Sequence, residues 1–189
     1  MVVGISQALG SLPSARGAAR LSRADFDLLV EQYERPLLRF LYGLVHDPEL
    51  AADLCQDTFL SAYKASPNIR DRGEGKFNVG AWLYTIALNH ARGYLRRKKL
   101  LSWVPFVASR HDRPAATRDL ASQTAQRDEL KVLLEQLPPE QRACMLLHAD
   151  GFRYAEIADI LNCSEGAVKL RMFRAREHCL KLRDAREDA

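Results

Sequence analysis

The chain has 189 residues, which fits one or two small domains, and 47% of them are hydrophobic, enough for a packed core. Its 28 basic and 24 acidic residues leave a net charge of +4, too small for a general polycation, and no apolar run is long enough to span a bilayer, so membrane insertion is not expected. The four cysteines, Cys55, Cys144, Cys163 and Cys179, form no CxxC pair and read as reduced, buried thiols.

Residues 1–22 are free of acidic side chains and rich in Ala, Gly, Ser and Arg. They lack the basic start, long apolar stretch and cleavage site of a signal peptide, and read as a disordered N-terminal tail. A first helix is predicted over about 24–46, capped by Ser22 or Asp25, with an apolar stripe through Phe26, Leu29, Val30, Tyr33, Leu37, Phe40, Leu41 and Leu44. Pro36 inside it should kink or split it. Asp47 is placed to cap a second helix from Pro48 to about Ala65. Leu50, Leu54, Thr58 and Ala62 make its inner stripe, while Glu49, Asp53, Gln56, Asp57 and Leu60 point outward. Acidic groups at 49, 53 and 57 follow i, i+4 spacing and repel one another slightly, which fits either a solvated face or a face for a basic partner. Residues 66–78 are a loop by composition, and a third helix follows from about 79 to 101, with Trp82, Leu83, Ile86, Ala87 and Tyr94 expected mostly in the core.

Residues 102–123, with Pro105, Pro114 and little periodicity, read as a flexible linker. Helix resumes over about 125–137, breaks at Pro138, restarts at Pro139 and ends at Gly151. The run Arg153–Glu177 then has the form of a helix-turn-helix. Tyr154–Leu161 packs inward through Ala155, Ile157, Ala158 and Leu161, Asn162 and Cys163 make the turn, and Ser164 caps the second helix. The expected fold is therefore all-α: two small helical domains joined by a flexible linker, the C-terminal one containing a helix-turn-helix. The boundaries read as 1–22 for the tail, 23–101 for the first domain, 102–123 for the linker and 124–186 for the second domain.

At 100° per residue the second helix of that motif has an odd surface. Val168, Met172, Ala175 and Cys179 form an apolar stripe, Lys169 and Arg176 lie on one flank and Arg171 on the other. Leu170, Phe173 and Arg174 lie opposite. Geometry alone allows Leu170 and Phe173 to be buried under another helix. In a helix-turn-helix, however, this helix enters the major groove. Lys169, Arg171 and Arg176 then reach phosphates, Arg174 phosphate or guanine, and the apolar pair thymine methyls.

With those residues in view, the sequence resembles the extracytoplasmic-function group of bacterial sigma factors over nearly all of residues 24–183. "LEQLPPEQRACMLLHADGFRYAEIADILNCSEGAVKLRMFRARE" (134–177) resembles sigma region 4. "DPELAADLCQDTFLSAYKA" (47–65) resembles the polymerase-binding helix of region 2, and "FNVGAWLYTIALNHARGYLRRKK" (77–99) the helix that melts and reads the -10 element. The resemblance implies a protein that binds the clamp helices and flap of core RNA polymerase and directs initiation at chosen promoters. Glu49, Asp53, Gln56, Asp57 and Leu60 would meet the basic clamp helices. Asn68, Lys76, Phe77, Asn89, Arg92, Arg96 and Arg97 would serve the -10 strand, the loop holding a flipped base and the basic run holding phosphates. Ser164, Lys169, Leu170, Arg171, Phe173, Arg174 and Arg176 would serve the -35 duplex. It further implies a cytoplasmic protein, control by an anti-sigma factor, and no cofactor. Leu170 departs from the Ser of many relatives, which bears on the -35 sequence preferred.

Three other classes compete with this reading. A helix-turn-helix repressor or activator acting without polymerase explains 134–183 but not the acidic helix 48–65 or the basic end of the third helix. A metal site at Cys144 and His148 lacks a third ligand at recognisable spacing, and no phosphate loop, nucleophile elbow or HExxH run points to an enzyme.

Overall fold

The computed structural model describes residues 23–65, 78–101 and 132–187. The tail 1–22, the linker 102–123 and the start of the helix expected at 125–137 lie outside them. All the described secondary structure is helical. The helices are α1 (Arg23–Val45), α2 (Pro48–Ala65), α3 (Val79–Leu101), α4 (Pro139–Ala149), α5 (Tyr154–Leu161) and α6 (Glu165–Glu187), with a further helical turn at 132–136.

Helix ends follow local chemistry. The Leu50 amide donates to Asp47 Oδ1 at 3.1 Å and the Ala167 amide to Ser164 Oγ at 3.2 Å, so both expected caps form. His46 (φ 58°) and Asn162 (φ 52°) take the left-handed conformation just past α1 and α5. Gly151 (φ 94°) does the same after α4, where a side chain would be strained. Two expectations change. Asp25 lies inside the first turn of α1 rather than capping it. Pro36 does not split α1, which runs through it unbroken.

α1, α2 and α3 pack around Leu29, Leu37, Phe40, Leu41, Leu54 and Leu83, all buried. Thr58 is fully buried too, and its hydroxyl donates to the Leu54 carbonyl at 2.7 Å, so no polar group is orphaned there. α4, α5 and α6 pack around Leu147, Ile157, Ile160, Val168 and Met172. The two groups meet: α1 lies on α4, and α3 on α5. Tyr84 stacks edge-on with Phe152 at 4.8 Å between centroids. Gly43 faces Leu146 so closely that a Cβ there would lie 2.8 Å from Leu146 Cδ1. The packing of α3 differs from expectation. Tyr84, Leu88 and Ala91 are buried, whereas Trp82, Ile86 and Tyr94 are only half-buried.

Candidate nucleic-acid interface

α6 is fixed by its inner stripe, since Val168, Met172 and Ala175 are all at most 2% exposed. That anchoring dictates what faces out. Leu170 is 48% and Phe173 64% exposed, and Arg174 beside them is exposed as well. Nothing among the described residues buries the apolar pair. Lys169 pairs with Glu165 one turn back at 2.9 Å, an exposed contact that a phosphate can displace. The Arg176 guanidinium donates to the Tyr154 hydroxyl at 3.3 Å, which ties α6 to α5 from an exposed position.

Arg171 is different. Its side chain turns toward α4, pairing with Glu140 at 3.4 Å and donating to Cys163 Sγ at 3.3 Å. Cys144 lies in the same corner. Burial pushes its thiol up to about 11, the neighbouring guanidinium of Arg171 opposing. α5 is held at its start by Glu156, which accepts from the Arg153 amide at 2.8 Å and from the Asn78 side chain at 2.9 Å. Burial raises the Glu156 carboxyl, but the hydrogen bonds from Arg153 and Asn78 outweigh it and hold the carboxyl below its usual value.

On α3, Asn89 is exposed and lines a shallow groove with Ile86 and His90. Arg96 and Arg97 are exposed toward the helix end. Arg92 is half-buried and grips both oxygens of Glu140 at 3.0 Å. Asn68, Lys76 and Phe77 lie outside the described residues. On α2, Glu49, Asp53, Gln56, Asp57 and Leu60 all face solvent in one band, Leu60 55% exposed. Tyr63 is as exposed as Leu60 and extends the band; sequence spacing had not selected it. Glu140, which holds a residue from each basic surface, carried no sequence signal either.

Comparison with known proteins decides the family. A family model for sigma-70 region 2 matches residues 29–100, and one for sigma-70 region 4 matches residues 127–179. The RNA polymerase sigma-H factor of Pseudomonas aeruginosa is 34% identical over 172 residues, covering 84% of this chain and 87% of its own. The ECF RNA polymerase sigma-E factor of Escherichia coli K12 is 32% identical with the same coverage.

The chain belongs to the extracytoplasmic-function group of sigma factors.

As a member of this sigma-70 family it is an alternative sigma factor, a subunit that brings core RNA polymerase to promoter DNA, and not an enzyme in its own right. Its two-domain helical architecture is that of solved sigma factors. CnrH, solved with the cytosolic domain of CnrY, superposes with a TM-score of 0.65 at 25% identity, over 89% of this chain and 93% of that one. Sigma factor RpoE of Bartonella quintana, solved with the anti-sigma factor NepR, gives a TM-score of 0.64 at 28% identity, over 85% of this chain and 97% of that one. Among the described residues no helix is long and apolar enough to cross a membrane, and no three metal-ligating side chains converge.

Proposed function

We propose that this sigma factor reads the -35 duplex with the outer face of α6 and the -10 strand with α3 and the segment before it. The observation that carries the reading is the outward placement of Leu170 and Phe173 between exposed cations on the second helix of a helix-turn-helix. Cations give position and salt-dependent affinity, and apolar side chains against thymine methyls give choice. Ser164 brings the start of α6 to the DNA, Lys169 and Arg176 meet phosphates, Arg174 meets phosphate or guanine, and Arg171 joins the phosphate contacts when it leaves Glu140. Asn89, Arg92, Arg96 and Arg97, with Asn68, Lys76 and Phe77, serve the -10 strand.

The band of Glu49, Asp53, Gln56, Asp57 and Leu60 on α2 meets the basic clamp helices of core polymerase. Residues 23–101 and 124–186 act as separate domains across the linker 102–123, behind the tail 1–22. The protein works in the cytoplasm and is held by an anti-sigma factor, as RpoE of Bartonella quintana is seen bound to one.

The test is Leu170→Ser in transcription reconstituted with core polymerase over a promoter library randomised at the -35 element. A changed -35 preference is expected. A uniform loss at every sequence would remove base choice from that residue.

A further inference from the structure

Where the turn before α6 meets α4, two thiols share one corner, and promoter reading leaves both without a role. Arg171 Nη1 donates to Cys163 Sγ at 3.3 Å and pairs with Glu140 at 3.4 Å. The same guanidinium hydrogen-bonds the Cys144 thiol, and Cys163 and Glu140 are both near enough to Cys144 for their charges to act on it. Thiols from two different elements are thus neighbours around one cation. The other two cysteines stand apart. Cys55 lies on α2 with its thiol directed to the Glu34 carbonyl at 3.9 Å, and Cys179 lies in the second half of α6.

The two neighbours differ in access and in freedom. Cys144 is 0% exposed within α4, whereas Cys163 is half-buried. Cys163 belongs to no helix. It follows Asn162, whose φ of 52° ends α5, and precedes the Ser164 cap of α6. Its side chain can shift toward α4 without breaking a helical ladder. A disulfide needs that freedom, because the two Cα atoms must come within about 7 Å. A half-exposed thiol beside a guanidinium, with a second thiol behind it, is a setting in which oxidation is site-selective and ends in a disulfide.

We propose that Cys163 and Cys144 form a pair oxidised by hydroperoxides, and that their disulfide releases Arg171 to DNA. The Cys163 sulfur attacks the terminal oxygen of the hydroperoxide. The O–O bond breaks, the thiol proton leaves with the departing alcohol or water, and a sulfenic acid remains. The Cys144 sulfur then attacks the Cys163 sulfur, the S–O bond breaks, and hydroxide leaves as water with the Cys144 proton. Two thiols lose two electrons in all, and one hydroperoxide gains them. The sulfurs move to meet, and disulfide sulfur is a weak acceptor, so Arg171 loses two of the three partners described for it. Glu140 remains, but that pair is part-exposed and Glu140 is shared with Arg92. The freed guanidinium adds one phosphate contact on the flank of α6. This consequence rests on the -35 reading proposed above; the oxidation does not.

The full chain is treated with hydrogen peroxide, freed of it, and only then added to core polymerase. Non-reducing peptide mapping should find the tryptic peptide 143–153 joined to 154–169. Cys163→Ser should give no such joint, and Cys144→Ala should stop at a sulfenic acid on Cys163, trapped by dimedone. Holoenzyme carrying the oxidised chain should bind promoter DNA several-fold more tightly than with the reduced chain. Its slope of log affinity against log salt should be steeper by about 1, and a reductant should reverse both changes. Both thiols left intact, or a different pair joined, would overturn the pair. The disulfide with unchanged or weaker promoter binding would overturn the release of Arg171. No promoter binding by either form would bring down the -35 reading and the release with it, while the peptide map would still decide the pair.

Discussion

Single side chains divide the α6 surface into positioning and choosing groups. Arg176 is exposed and touches only the Tyr154 hydroxyl among the contacts described. Arg176→Ala should therefore weaken all promoters alike and lower the slope of log affinity against log salt by about 1, measured by titrating holoenzyme binding against salt. A loss confined to one -35 sequence would make Arg176 a base reader. The thiols separate as well. Burial first, and then the Glu34 charge, push Cys55 up to about 11, and burial likewise pushes Cys144 up to about 11. A raised value keeps the thiol protonated, and both are shielded from reagent. At pH 8 a thiol reagent should label Cys55 and Cys144 more slowly than Cys163 and Cys179. Equal rates for all four would mean that the cores around α2 and α4 open readily.

Each helix carries a start signal, a buried stripe and an outward face, and these differ in how far a sequence exposes them. Ser164→Ala removes the hydroxyl that accepts from Ala167 and should cost about 1 kcal/mol, read as a lower thermal midpoint. Replacing Asp53 and Asp57 together with Lys should abolish binding to core polymerase without lowering that midpoint, since both face solvent. A fall in the midpoint would mean that the acidic band has a folding role. Asp47, Ser164, Pro139 and Gly151 were legible because caps and breaks act over three or four residues. The α6 stripe was legible because one face is wholly apolar. The burial of Tyr84 on α3 was not, because its ring packs between Phe40 of α1 and Phe152, which follows α4 far along the chain. Arg142 reads as one more solvated cation until the end of α1 brings carbonyls to it, and Glu140 as an ordinary first-turn acid until two arginines converge on it. Helix faces that pack within their own three-helix group can be read from period. Those that pack across the linker depend on a docking that no local pattern encodes.

For the whole molecule, stability depends on charge at the contact between the two helix groups, where Tyr84 meets Asp150. Burial holds the Asp150 carboxyl above its usual range, the Tyr84 hydroxyl and Arg39 opposing. A carboxyl raised on folding contributes stability below its unfolded value and loses it as pH rises through the folded one, so at pH 7 its charge weakens the docked state. Asp150→Asn keeps an acceptor for Tyr84 without the charge. Its thermal midpoint should match or exceed wild type at pH 7, with the advantage gone near pH 3; a lower midpoint at pH 7 would show that the charge favours docking. The central claim, that this sigma factor joins core polymerase and reads promoters at two points, is tested most directly by transcribing whole genomic DNA with core polymerase plus the purified chain and mapping every 5′ end. The account predicts a limited set of start sites that share a -10 sequence and, at a fixed distance upstream, a -35 sequence. No start sites beyond those of core polymerase alone, with the chain instead binding duplex DNA tightly by itself, would contradict it.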